Sequence, residues 1–188
     1  MVHAHDLNPR FLLTGGPGVG KTAVIEVLRT WGSHCSDDAA RAIIRERRAA
    51  GLSPRPAPAA FALEILRREV AAWGAAPLDA GPVFHERGVV DALAMAQGAG
   101  ALAATEIADT LALHPYRIPV FMFPPWREIF VQDGERDQEF EHVERVDEGV
   151  RRYYEQAGYR IVEVPQGPVE ARAAFVMEHA LGALAAGD

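Results

Sequence analysis

The chain has 188 residues, a formal net charge of −7 and an ordinary hydrophobic share of 49%. That length suffices for one domain with a sizeable core, the acidic balance argues against a general nucleic-acid binder, and no apolar run approaches the ~20 residues that span a bilayer. A lone cysteine, Cys35, rules out an internal disulfide framework. With an N-terminus that lacks the regions of a secretory signal, it leads to the expectation of a cytoplasmic protein without nucleic-acid or membrane partners.

Taken in chain order, the elements alternate between strand and helix. Arg10 to Thr14 is a short apolar run, the pattern of a buried parallel strand, and Lys21 to Thr30 places Val24, Val27 and Leu28 on one helical face. A short second strand is expected near Ser33 to Ser36, a helix over Ala39 to Ala50, a Pro/Ala-rich loop to Ala59 and a helix over about Ala60 to Trp73. Pro82 to His85 reads as the third strand, followed by shorter helices at Val90 to Ala96 and Thr105 to His114. Arg117 to Phe123 reads as the fourth strand and stops at Pro124-Pro125. A long helix is expected over Glu139 to Ala157 with Gly158 as its stop, then a fifth strand at Arg160 to Val164 and a last helix at Val169 to Leu184. The order predicts one α/β domain over residues 1–188. Together with the Gly15–Thr22 phosphate-binding loop that follows the first strand, the expected architecture is a P-loop NTPase three-layer sandwich, with a five-stranded parallel sheet of nucleotide-kinase type and the first strand central. Ligands then collect at the C-terminal strand edges.

The first strand runs into Gly15-Gly16-Pro17-Gly18-Val19-Gly20-Lys21-Thr22, a complete G-x-x-x-x-G-K-[ST] loop in its required strand-to-helix context. Its glycines let backbone N–H groups turn inward around phosphate oxygens, and the helix start adds positive potential. Gly16, Pro17, Gly18, Val19 and Gly20 are therefore expected to cradle ATP, with Lys21 on the β- and γ-phosphates and the Thr22 hydroxyl on Mg²⁺.

Three further segments fall on the same edge. Asp37-Asp38 follows the second strand; one acid can cap the next helix while the other faces a ligand, and Asp37 is the better-placed cap. Glu86-Arg87 follows the third strand, where a carboxylate orients Mg²⁺ or acts as a base and Arg87 can meet phosphate or substrate; the bland reading is an ion pair at the sheet edge. Trp126 to Gln138 reads either as a solvated loop or as a lid, with Arg136 as its charge-stabilising residue and Arg127 as a second, acceptor-side candidate. Arg41, Arg45 and Arg48 share a helix face and are expected to be a solvated row paired with Glu46. His85 reads as a packed strand residue, Cys35 as a small buried one, and no metal-ligand cluster or Ser-His-Asp set emerges from the spacing.

The segments TGGPGVGKTAVIEVL, DDAARAII, VFHERGVVDALAM, FMFPPWREIFVQDGER and YYEQAGYRIVEVPQGPVEARAAFV span nearly the whole chain. They resemble a family of small predicted ATPases of the AAA-type clan, whose relatives include the ribosylnicotinamide kinase domain of a bacterial NAD regulator. The resemblance implies ATP binding and a kinase-like fold, and it assigns Asp38 to the acidic position before Ala-Ala-Arg. The family's usual Asp-Arg-Gly stands here as Glu86-Arg87-Gly88, and the extra methylene changes the reach to the metal. The expected function is ATP·Mg²⁺-dependent phosphoryl transfer to a small hydroxyl-bearing, nucleoside-like acceptor. The alternative is a nucleotide-binding switch or ATPase that acts on a protein partner. A GTPase, a transporter ATPase and an AAA+ motor are disfavoured. There is no N-K-x-D segment, no LSGGQ-like signature and no room for a helical second domain.

Overall fold

The computed structural model describes residues 8–79, 81–129 and 140–186. Five strands, β1 (Arg10–Gly15), β2 (His34–Ser36), β3 (Val83–Glu86), β4 (Val120–Phe123) and β5 (Ile161–Glu163), form one parallel sheet in the order β2-β3-β1-β4-β5. The phosphate-loop strand is central, as its Phe11-Leu12-Leu13 run requires, and β1 is buried along its whole length. The short edge strands β2 and β5 are only half-buried or exposed.

Alternation along β1 divides the core. Phe11 and Leu13 pack with Val24, Ile25 and Leu28 of α1 (Lys21–Thr30) and with Ala173, Val176 and Ala180 of α7 (Val169–Ala186). Leu12 faces the other side. There it meets Val89, Val90 and Leu93 of α4 (Val89–Gly98), Ile107 of α5 (Ala104–Leu113) and Tyr154 of α6 (Phe140–Gln156). A third cluster joins Ala39, Ile43 and Ile44 of α2 (Ala39–Ala49) to Phe61 and Ile65 of α3 (Pro58–Ala75) and to Ala92. Helices thus cover both faces. No helix among the described residues is long and apolar enough to cross a membrane.

The expected elements are all present, with small shifts at their ends. β3 extends through Glu86, so that carboxylate occupies the last strand position instead of the turn. β4 begins at Val120, not Arg117, because Pro119 has no N–H to give the ladder. α3 begins at Pro58, where a ring without an N–H suits the first helical turn.

Candidate active site

The ends of β1, β2 and β3 open into a cleft of about 1000 Å³. The phosphate loop forms one side, with Gly20 in the left-handed region (φ 88°) as the residue before α1. A side chain is strained there and a glycine is not. From α7, the Arg172 guanidinium donates to the Val19 carbonyl at 2.9 Å and lies between the rings of Phe123 (4.7 Å) and Trp126 (5.3 Å). Two aromatic faces and a carbonyl therefore fix one cation beneath the loop.

Lys21 is almost wholly buried and donates from Nζ to the carbonyls of Gly16 (2.7 Å) and Gly15 (3.2 Å). Burial, and then the nearby Arg87 charge, bring its pKa down to about 7, against the pull of Glu86, Asp38 and Asp91. A lysine in this state gains strongly from a polyanion that replaces the lost solvation.

Next to it, Thr22 Oγ1 donates to Glu86 Oε1 at 2.7 Å and accepts from Arg41 at 3.1 Å. The hydroxyl and the carboxylate are hard oxygen donors, the chemistry Mg²⁺ takes. Among the described residues no cluster of three or more His, Cys, Asp or Glu forms an all-protein cage. The pair fits a Mg²⁺ ion whose remaining ligands come from phosphates and water. Arg41 is the first departure from expectation. Instead of sharing a solvated row with Arg45 and Arg48, it lines the cleft and bonds the phosphate-loop threonine. Glu46 is held by Arg68 of α3 instead.

The acidic pair is also resolved differently. Asp38, not Asp37, caps α2: its Oδ1 accepts from the N–H groups of Ala40 (2.8 Å) and Arg41 (3.3 Å). Asp37 points away, 62% exposed, in an ion pair with Arg29 of α1, and does not line the cleft. The helix begins one residue later than Asp37 as cap requires, so Asp37 is not brought to the substrate side. Asp38 does both jobs, because its second oxygen accepts from Arg87 Nε at 3.2 Å.

Arg87 occupies a left-handed conformation (φ 66°) that a non-glycine residue rarely adopts, and its N–H bonds the Leu13 carbonyl at 2.9 Å. Its guanidinium bridges Asp38 and Asp91, at 3.2 Å each. Burial penalises that charge, yet Asp38, Asp91 and Glu86 together hold the Arg87 proton more firmly than in a free arginine. Gly88 then passes so close to the sheet that a Cβ would sit 2.5 Å from the Tyr116 hydroxyl and 2.6 Å from Leu12. The Glu-Arg-Gly turn is thus built for contact at every position. Arg87 makes an ion pair at the sheet edge, with Asp38 and Asp91, while Glu86 turns to the phosphate-loop threonine.

Asp91 escaped the sequence reading. Its Oδ1 accepts from Thr14 at 2.6 Å and its Oδ2 from Tyr154 at 2.6 Å, which ties β1, α4 and α6 to Arg87. The signal was its position four residues after Arg87 at a helix start. The sequence does not mark Glu69 of α3 either: a buried carboxyl group that lines the cleft beside Phe61 and Ile65.

Arg127 is not brought in. It is 65% exposed, lies 4.2 Å over the Phe140 ring and pairs with Glu141 at 3.6 Å, outside the cleft. Arg136 and residues 130–138 of the expected lid lie outside the described residues. His85 packs edge-on to Tyr116 at 5.3 Å, as expected of a strand residue. Burial pushes the half-buried Cys35 thiol up to about 11, which suits a packed residue and not a nucleophile.

A family model described as an AAA domain matches residues 10–172. Comparison with the curated proteins gives no match. Among solved structures, the NadR protein in complex with NR is similar at TM-score 0.65 and 16% identity, over 92% of this chain and 51% of that one. The chain spans about half the length of the NadR structures it matches. Deoxyadenosine kinase from M. mycoides is similar at TM-score 0.63 and 11% identity, over 92% and 98% of the two chains. Thymidylate kinase from Candida albicans is similar at TM-score 0.59 and 13% identity, over 93% and 92%. With its strand–loop–helix phosphate motif, its 2-3-1-4-5 sheet and a family match over most of its length, the chain belongs to the AAA-domain family and has the P-loop nucleotide-kinase fold.

Proposed function

We propose that this chain is an ATP·Mg²⁺-dependent phosphotransferase acting on a small hydroxyl-bearing, nucleoside-like acceptor. The observation that carries the reading is a single cleft that holds two chemistries side by side. Lys21, Thr22 and Glu86 suit a metal-bound triphosphate, while Asp38 and Arg87 line the wall beyond the phosphate loop, where an acceptor would enter. A switch needs the first set alone. The fold's likeness to deoxyadenosine kinase and thymidylate kinase supports the same reading.

In this account Lys21 takes the charge of the β- and γ-phosphates, and Thr22 with Glu86 would hold Mg²⁺, which supplies charge neutralisation on the phosphoryl oxygens. Arg87, locked between Asp38 and Asp91, presents a fixed positive charge on the acceptor side. The acceptor hydroxyl donates to Asp38, whose oxygens retain lone pairs beyond those given to the helix cap and Arg87. The acceptor oxygen forms its bond to the γ-phosphorus as the bond to the β-bridging oxygen breaks. ADP leaves, and the hydroxyl proton passes through Asp38 to solvent.

The test is a thermal-shift screen of nucleosides, sugars, vitamins and aminoglycosides, each with AMP-PNP and Mg²⁺. One acceptor class is expected to add to the shift from AMP-PNP alone and then to stimulate ATP turnover. Turnover that responds to no small molecule but rises with a protein fraction would replace this reading with the switch.

A further inference from the structure

We propose that Glu69, with Phe61, Ile65 and Ala92, forms a subsite of the cleft that holds an uncharged ring through a hydrogen bond from the free carboxyl oxygen of Glu69 to a carbonyl or ring nitrogen. The inference rests on the phosphotransfer reading, in that the ring belongs to its acceptor.

Phe61, Ile65 and Glu69 fall at i, i+4 and i+8 of α3, so they form one stripe, and all three line the cleft with Ala92 from α4. Phe61 and Ile65 supply an apolar wall with one aromatic face, the surface a flat ring packs on. Glu69 interrupts that stripe with a carboxyl group that is 2% exposed. Its Oε1 accepts from the Ala39 N–H at 3.3 Å, and its Oε2 has no hydrogen-bond partner among the described residues. A buried polar oxygen without a partner is costly unless something arrives to satisfy it.

The surroundings fix the form of that oxygen. Asp38 at the start of α2 and Asp91 on α4 are carboxylates facing it, and Tyr116 stands near as a neutral phenol. Arg87 is the neighbouring cation, but its Nε and one terminal nitrogen are engaged by Asp38 and Asp91. Burial first, and then Asp38 and Asp91, push the Glu69 carboxyl up to about 8, against the pull of the Ala39 N–H and Arg87. Burial therefore favours the carboxylic acid at neutral pH. With Oε1 accepting from Ala39, Oε2 is the hydroxyl end and donates. Its ligand is a hydrogen-bond acceptor on an uncharged ring. An anion is excluded by Asp38 and Asp91, and a cation favours the ionised carboxylate instead.

The sign of the pH dependence separates these cases. A ligand that takes a hydrogen bond from the acid binds with constant affinity below pH 8, then more weakly as the proton is lost. A cationic ring binds more tightly as pH rises through the same range. Adenosine, cytidine, inosine and thymidine are titrated in the presence of AMP-PNP and Mg²⁺ against wild type, Glu69→Gln and Glu69→Leu. AMP-PNP affinity and far-UV circular dichroism verify that each variant is folded. Glu69→Gln keeps a donor and cannot titrate, while Glu69→Leu removes it. The expected result is that the best-bound nucleoside loses about tenfold or more in Glu69→Leu, stays within about threefold in Glu69→Gln, and loses its decline above pH 8 only in the variants. Nucleoside affinity unchanged in Glu69→Leu, affinity that rises with pH, or intact AMP-PNP·Mg²⁺ binding with no nucleoside bound at all each overturns the subsite. Failure of wild type to bind AMP-PNP·Mg²⁺ overturns the phosphotransfer reading with it.

Discussion

Removing the Asp91 carboxylate is expected to cost both stability and turnover. Asp91 is 5% exposed and accepts from the Thr14 and Tyr154 hydroxyls at 2.6 Å each and from Arg87 at 3.2 Å. Asp91→Ala strands two buried hydroxyls and one arm of a buried guanidinium. Each stranded hydroxyl carries about 1–3 kcal/mol, and breaking a buried ion pair from one side carries about 3–5 kcal/mol. The three losses share one carboxylate, and the hydroxyls can turn to other partners, so they do not add. About 3–5 kcal/mol in total is the working figure, because Arg87 keeps Asp38. For a chain of this size that is a fall in Tm of roughly 6–20 °C. Asp91→Asn retains an acceptor for one hydroxyl, turns the other acceptor into an N–H donor and loses the charge toward Arg87, so it should fall about 1–3 kcal/mol below wild type. Urea unfolding followed by circular dichroism measures both, with the slope checked for constancy. The order wild type, Asn, Ala is expected, with turnover falling in the same order as Arg87 loses its anchor. Asp91→Ala within 1 kcal/mol of wild type at an unchanged slope would refute the hub.

Two further outcomes follow from the site. Lys21, with its pKa brought down to about 7 by burial, is expected to be largely uncharged in the free protein at pH 8 and to regain its proton on meeting a triphosphate. ATP binding should therefore take up protons at Lys21, read by calorimetry in buffers of different ionisation enthalpy, and more of them at pH 8 than at pH 6; equal uptake in Lys21→Ala would assign those protons elsewhere. Asp38→Asn keeps a capping side chain but weakens the bridge to Arg87, so steady-state kinetics should show turnover falling more than ATP affinity, while Asp37→Asn, at an exposed pair with Arg29, should change neither. The reverse pattern would return the chemistry to Asp37.

The sheet was legible because its signals are local. Apolar runs ending in Gly, Asp-Asp or Glu-Arg-Gly mark parallel strands, and the phosphate loop places β1 at the centre. That Lys21, Thr22 and Glu86 lie at one end of the cleft followed from the same motifs, which end β1 and β3 side by side and let the Thr22 hydroxyl reach Glu86 at 2.7 Å. What the sequence hid was tertiary choice. Asp37 and Asp38 are equivalent until the helix start is fixed within one residue, and the periodicity that set the strands cannot fix it. Arg41 differs from Arg45 and Arg48 only in lying in the first turn of α2, which faces the phosphate loop. Glu69 stands next to Arg68 and among charged residues, so its inward side was invisible without α2 and α4 packed over it. Arg127 has the composition of a substrate-binding residue, but it turns outward onto Phe140.

The central claim is phosphoryl transfer, and following the fate of the γ-phosphate tests it most directly. With ATP labelled at the γ-position, Mg²⁺ and the acceptor chosen by the thermal-shift screen, the account predicts label moving onto the acceptor in step with ADP formation. It also predicts a fall of several orders of magnitude in Lys21→Ala with the fold intact, since that change removes the buried point charge while leaving the loop's backbone. Label appearing only as inorganic phosphate with every acceptor, or transfer undiminished in Lys21→Ala, would contradict it.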